Sequence, residues 1–491
     1  MERVAESLKS KIMSAEQAAQ FIKSGMVLAT SGFTSVNCPK AVPTALADSG
    51  HAKDLTLCVA AAMIDEIDGR LVREGILSRR FGHQSNNDLR KGVNNGTVSF
   101  NDSHISHLPM HLNQQAGMKV DVALIECVAV SEEGLYLGAA GGSADAAVRN
   151  ADMVIVEVNE AIPMGMVGMH DIFEIGLPPE ARIIPITKAN DRVGTPYIPC
   201  DPAKIAAIVM TNQADPGQKF KPSSPATTRI GENVVKFLKG EIEAGRLPEN
   251  PGPFQSGVGS VGNAVLSGLA AGGFRGLSMY TEVMQDSAFN LIDQGVFDFV
   301  STSSIALTEE NREKFYANMD HYREKILVRP CEITNHPEVS RRLGVISLNT
   351  PIEVDIYGNV NSTHIMGTKM MNGLGGSADF SRNARVTIFA TESIAKGGLI
   401  SSIVPMVSHV DSTEHDVAVI VTEQGIADLR WKAPRERAEL IIENCAHPDF
   451  RPMLWEYFNH ACEVSAGKHT PHDLSKALSW HQKFLETGSM K

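Results

Sequence analysis

No apolar run in this chain reaches the roughly 18 residues that a membrane span needs. The longest near the start, Leu55 to Ile64, reads instead as a buried strand. No CxxC pair occurs either. The seven cysteines, Cys38, Cys58, Cys127, Cys200, Cys331, Cys445 and Cys462, are scattered, which suits reduced thiols better than a disulfide framework. Positive charge is in deficit: 45 Lys and Arg against 57 Asp and Glu leave −12, so neither nucleic acid nor an anionic membrane is an expected partner. The opening MERVAESLKSKIMSAEQ lacks the apolar core of a secretory signal, and Glu2 and Glu6 weaken a transit-peptide reading. A cytoplasmic location is expected, with the mitochondrial matrix as the eukaryotic alternative. The GxSxG elbow of serine hydrolases is missing, which argues against a serine thioesterase.

What is present is the composition of a globular protein, 43% apolar and 21% charged over 491 residues, long enough for two or three domains. Apolar, β-branched runs alternate with helical patterns throughout. Met26–Thr30, Val122–Ile125, Met153–Val158 and Ile205–Met210 are read as strands buried on both faces. Leu277–Thr281, Phe297–Val300, Val386–Thr391 and Val417–Thr422 continue the theme, and Val354–Val360 reads as a hairpin around Gly358-Asn359. Buried strands separated by helices define an α/β fold with mainly parallel sheets. Between Thr211 and Arg229 the composition turns polar and proline-rich, the mark of a linker. It divides the chain into 1–220 and 221–491, two α/β halves of similar length that hint at duplication without a strict repeat. A helix from Ile230 to Ala244 follows the linker.

Gln255-Ser256-Gly257-Val258-Gly259-Ser260-Val261-Gly262 contains GxGxxG, with Glu282 twenty residues beyond the last glycine, the layout of a dinucleotide-binding turn. That reading requires a buried strand immediately before the glycines. Glu249–Ser256 contains Pro251, Gly252 and Pro253 and is not expected to form one. The segment beyond reads as a strand ending in Glu282, followed by a helix with Asp286 near its start. A second glycine loop, Met370–Phe380, carries Gly375-Gly376. Two glycine loops flanking one acid would surround a carboxylate with main-chain N–H donors, which suits acyl transfer through an oxyanion better than hydride transfer.

At these residues the chain resembles the acetyl-CoA hydrolase/transferase family, the class I CoA-transferases that include succinyl-CoA:acetate and propionyl-CoA:succinate enzymes. The likeness runs nearly end to end: SGFT at Ser31–Thr34, Pro39–Pro43 and Leu89–Lys91, then GVGSVGNAV, MYTEVMQD, ITNHPEVSRRLGVI, DIYGNVNSTHIMGTKMMNGLGGSADFSRNA and TEQGIADLR. The resemblance implies two tandem CoA-transferase-type domains with the active site between them. It implies Glu282 as covalent nucleophile and the backbone N–H groups of Val258 and Gly376 as oxyanion donors. It places coenzyme A, a substrate rather than a resident cofactor, on Gly257, Val258, Gly259, Ser260, Val261, Asn335, Asn372, Gly376 and Lys396, and sets Glu423 close to the site. Lys396 would pair with a CoA phosphate; its plain alternative is a surface lysine, and Asn335 and Asn372 can equally be turn formers. Acyl-CoA and small carboxylic acids are the implied partners, a homodimer is the expected assembly, and no metal is required because a thioester is already activated.

Two segments depart from the family pattern. Ala60-Ala61-Ala62-Met63 stands where a TGAS-like turn is usual, and Leu137–Asp145 where a PSxxVGNSP-like segment is usual. Both are expected to help wall the acyl pocket, with Ser85 and Asn86 as candidate contacts for the acceptor carboxylate. Ser408–Asp416 is read as a hydrogen-bonded loop rather than a metal site. His104 and His107 are read as structural residues three apart on one helix.

Overall fold

The computed structural model describes residues 2–114, 118–219 and 222–491. Two large sheets carry the chain. The first is wholly parallel and runs, in spatial order, Ile205–Thr211, Ala151–Asn159, Val120–Cys127, Val27–Thr30, Leu55–Cys58, Leu77–Phe81, Ser99–Asn101. The second runs Ile326–Val328, Phe297–Ile305, Leu277–Met284, Phe254–Ser256, Ile346–Asn349, Val386–Ala390, Val419–Val421, Ile426–Asp428, parallel except at its last pairing. Central strands such as Val120–Cys127 are buried on both faces, as parallel crossovers require.

Both sheets are wound in the same order. In each, the first strand lies centrally, the next three extend to one side, and the chain then returns to build the other side. This shared winding is the structural counterpart of the hinted duplication, and it creates a topological switch point in each sheet, where parallel α/β proteins bind ligands. In the first sheet that point follows Val27–Thr30, and in the second it follows Phe254–Ser256.

Each half keeps an apolar cluster of its own, and a larger one is shared between the two sheets. One apolar cluster includes Val156 and Ile208 from the first together with Val283, Ile346 and Val421 from the second. Backbone bridges cross the seam at Ala140–Ser304, Gly142–Pro330, His170–Val328 and His104–Gly375. Buried Arg329 adds an ion pair to Asp171. No helix among the described residues is long and apolar enough to cross a membrane.

Four local expectations need correction. Phe254–Ser256 is a strand despite the prolines: it starts immediately after Pro253, so no ladder donor is lost, and three residues suffice to pair on both sides. Leu55–Ile64 is not one strand; it breaks after Cys58, and Ala61–Ala62 pairs separately with Phe33–Thr34. His104 lies outside the helix that begins at His107, because Ser106 gives its N–H and hydroxyl to Asp379 at 3.1 and 2.6 Å. The helix after the linker starts earlier than expected, at Pro225, capped by Ser224. The Glu353–Asp355 and Val360–Asn361 strands form the expected hairpin.

Candidate active site

Both switch points open on one cavity of about 190 Å³. The first half contributes Phe33, Thr34, Ala61, Met63 and His83; the second contributes Ser256, Gly257, Val258, Glu282, Asn349, Asn372, Gly375 and Gly376.

Glu282 sits near the carboxyl end of Leu277–Met284, its side chain partly open to the cavity. Its Oε2 accepts a hydrogen bond from Asn335 Nδ2 at 3.0 Å. Burial pushes its carboxyl up to about 7; the Asn335 bond opposes that rise and the nearby Asp379 charge adds to it. Near neutral pH its protonated and ionised forms are therefore both populated, and the anion is sparingly solvated.

Gly376 packs its Cα directly on this carboxylate. A Cβ built there would overlap Glu282 Oε2 and Asn335 Nδ2, so glycine is required by contact rather than by dihedral angle. Val258 lies on the opposite loop and is 54% exposed. Its neighbour Gly259 has φ +130°, a value that side chains rarely adopt. Gly257 N–H donates to Leu348 at 2.8 Å, and Gln285 grips the turn beyond it. Among the described residues, the N–H groups of Val258 and Gly376 have no acceptor within the protein. Two unpaired donors thus lie on the loops either side of one carboxylate.

The loop bearing Gly376 is held largely from the first half. Leu374 N–H donates to Asp102 at 2.9 and 3.0 Å, and Ile105 N–H to Gly375 at 3.2 Å. Gln84 donates to the Asn372 carbonyl at 3.2 Å, Arg90 to the Met371 carbonyl, and Asn94 to the Met370 carbonyl at 2.9 Å.

Of the sequence-derived candidates, Glu282, Gly257, Val258, Asn372 and Gly376 line the cavity. Asn335 is fully buried and faces Glu282. Ser260 and Val261 form the first turn of the Ser260–Ala271 helix behind the Gly257–Gly259 loop. Lys396 lies outside the cavity, exposed at the tip of a hairpin, its Nζ 4.8 Å from the centre of the Phe484 ring.

Glu423, Ser85 and Asn86 are not brought into the cavity. Glu423 follows Val419–Val421, four strands along from Leu277–Met284, roughly 19 Å at ~4.8 Å per strand. Its carboxylate instead accepts Ser393 N–H at 2.9 Å and the Ser393 hydroxyl, bracing the segment that leads to Lys396. Asn86 is engaged as the cap of Asn87–Asn95, its Oδ1 accepting from Asp88 and Leu89 at 2.8 and 3.1 Å. Ser85 accepts from Arg90 through its carbonyl at 3.2 Å. Of the two departing segments, Ala60–Met63 does wall the cavity, through Ala61 and Met63. Leu137–Asp145 lies in the seam, where Gly141 packs on the Arg329 carbonyl.

Sequence reasoning missed Phe33, Thr34, His83, Asn349 and Asp379. The signal for Phe33 and Thr34 was the duplication: they follow the first strand of their sheet just as Gly257 and Val258 follow theirs. His83 is driven down to about 4 chiefly by burial, so it is neutral at physiological pH.

The fold places the chain among the tandem parallel α/β proteins. The RipA structure from Yersinia pestis superposes with a TM-score of 0.72 at 23% identity, covering 94% of this chain and 99% of that one. The acetyl-CoA hydrolase/transferase N-terminal domain matches residues 1–210, and the C-terminal domain of the same family matches 312–458. A succinyl-CoA:acetate CoA-transferase of Clostridium kluyveri is 53% identical over 489 residues, covering 99% of this chain and 91% of that protein. An acetyl-CoA hydrolase of Eremothecium gossypii is 42% identical, covering 98% and 96%. The chain belongs to the acetyl-CoA hydrolase/transferase family.

Proposed function

We propose that this protein is a CoA-transferase that moves CoA between a short-chain acyl-CoA (acetyl-, propionyl- or succinyl-CoA) and a carboxylic acid such as acetate or succinate. Glu282 carries the CoA between them as a glutamyl thioester. The observation that carries this reading is the packing of Gly376 on the Glu282 carboxylate, with a second glycine loop at Val258 across the same cavity.

In this scheme a Glu282 oxygen attacks the thioester carbonyl carbon, the carbon–sulfur bond breaks, and CoA leaves as thiolate, giving a mixed anhydride. The thiolate attacks the glutamyl carbonyl and expels the free acid, leaving glutamyl-CoA. An incoming carboxylate attacks that carbonyl and the steps run in reverse, so ping-pong kinetics follow. Each tetrahedral intermediate bears an oxyanion, for which the Val258 and Gly376 N–H groups are the donors. Loss of one such donor costs about 10²–10³ in rate. Holding thiolate and anhydride in one small cavity makes the second step effectively intramolecular.

Residues 1–220 supply the acyl-side wall and residues 221–491 the nucleophile and CoA loops. Gly257, Val258, Gly259, Ser260, Val261, Asn372 and Lys396 are the proposed CoA contacts, with Lys396 meeting a phosphate where the molecule emerges from the cavity. A cytoplasmic homodimer that binds neither nucleic acid nor membrane completes the proposal.

Borohydride trapping after mixing with acyl-CoA tests it: reduction should fix a modification on Glu282 and destroy activity, and no modification there rejects the scheme. A second reading, net acetyl-CoA hydrolysis, is favoured by relatives that bear that name. Thiol release with and without a carboxylate acceptor separates the two, since a transferase releases little thiol in water alone.

A further inference from the structure

We propose that Asp379 is a positioning residue for Glu282 and acts through the side-chain amide of Asn335. The inference rests on Glu282 being the nucleophile. Asn335 Nδ2 has two hydrogens and two acceptors: Glu282 Oε2 at 3.0 Å and Asp379 Oδ2 at 3.2 Å. Its Oδ1 accepts from the Thr334 hydroxyl at 2.8 Å. With all three contacts made, the amide has one orientation, and that orientation fixes one oxygen of Glu282.

Asp379 is itself fixed from the other half of the molecule. It is 4% exposed and accepts both Ser106 donors, the hydroxyl at 2.6 Å and the N–H at 3.1 Å. A line of hydrogen bonds therefore runs from Ser106 through Asp379 and Asn335 to Glu282 across the seam. The titratable groups facing Asp379 are His104, whose Nδ1 lies 3.8 Å away, together with His107, Glu282 and the Cys331 thiol. Both imidazoles are shifted down by burial, so they are neutral at physiological pH.

Ala at 379 would remove both oxygens and leave the buried donors of Ser106 and Asn335 without their acceptor. The Asn335 amide should then turn away from its present orientation. Asp379→Ala is expected to lower kcat about 10²-fold, the scale of a small misplacement of a reacting group, with KM for acyl-CoA nearly unchanged.

The pH profile separates positioning from charge alone. Removing the Asp379 charge by itself would make Glu282 easier to ionise, moving the acid limb of kcat/KM to lower pH. Losing the Asn335 bond, the stronger of the two influences, would move it to higher pH. The proposal expects the higher value, and a shift to lower pH overturns it.

A double-mutant cycle gives the decisive reading. If Asp379 acts through Asn335, the Asn335→Ala/Asp379→Ala protein should be no slower than Asn335→Ala alone; independent, multiplying losses overturn the proposal. Should Asp379→Ala fail to fold, Ser106→Ala takes its place in the same cycle with the same expectation. Borohydride trapping in the wild-type protein keeps the two readings apart. No adduct means that Glu282 is not the nucleophile, whereas an adduct with multiplying losses rejects the role of Asp379 alone.

Discussion

Gln285 clasps the Gly257–Gly259 turn from both ends: its Oε1 accepts the Gly259 N–H at 3.3 Å, and its Nε2 donates to the Gly257 carbonyl at 3.4 Å. Val258, lying between these two contacts, has its N–H aimed by a side chain three residues beyond Glu282. Gln285→Leu should therefore lower kcat about tenfold through a looser donor, a modest part of the loss expected for removing an oxyanion donor outright. Steady-state kinetics check this, and an unchanged kcat would show that the turn holds its shape unaided.

Gly376→Ala tests the closest contact in the site. The added methyl cannot coexist with the Glu282 carboxylate in its present place, so either the side chain or the loop must move. A fall of about 10²–10³ in kcat/KM is expected with the melting temperature little changed, because the displaced groups border a cavity rather than fill a core. Activity within threefold of wild type would show that the contact is slack.

The raised Glu282 carboxyl also makes a stability prediction. In the folded protein it holds its proton up to about 7, against 4.5 for the ordinary group. The native state thus binds more protons than the unfolded chain between these values, and stability falls as pH rises through that window. Glu282→Gln, always neutral, should exceed wild type in stability at pH 8 by on the order of 2–3 kcal/mol, with the gap closing near pH 5. Denaturant titrations at the two pH values measure it. In kinetics the sign is reversed: transfer needs the ionised form, so kcat/KM should rise with pH through about 7.

Met63 and Ala61 wall the cavity from the first half. Met63→Gly should open space for a longer chain and shift the kcat/KM ratio of butyryl-CoA to acetyl-CoA upward by about tenfold, the lower range for a methylene-sized change in a pocket. Competition between the two thioesters reads the ratio directly, and an unchanged ratio would place the acyl group elsewhere.

The strands of both sheets were legible because burial on two faces leaves short apolar runs, as in Val122–Ile125 and Val419–Val421. Phe254–Ser256 was not, since three residues next to a proline carry no periodicity and their strand character comes from neighbours on both sides. Glu282 and the glycines could be found from local spacing and family resemblance. The partnership of Asn335 with Asp379 could not, because it joins residues 44 apart through a contact that only the packed sheet creates. Asn86 also carried a plainer signal: Asn ahead of Asn87-Asp88-Leu89 is an ordinary helix cap, and its Oδ1 is engaged there. Glu423 followed the family's neighbourhood; it lies four strands along the sheet from Leu277–Met284, with its carboxylate held by Ser393.

The loop that carries Gly376 belongs to the second half of the chain, while Asp102, Gln84, Arg90 and Asn94 of the first half grip its backbone. On the proposed mechanism neither portion should work in isolation, for one would hold the acid without a firm oxyanion donor and the other only a wall. Cutting the polypeptide within 212–219 should give two fragments that are inert separately and regain turnover when co-expressed, a complementation behaviour set by which half holds which loop.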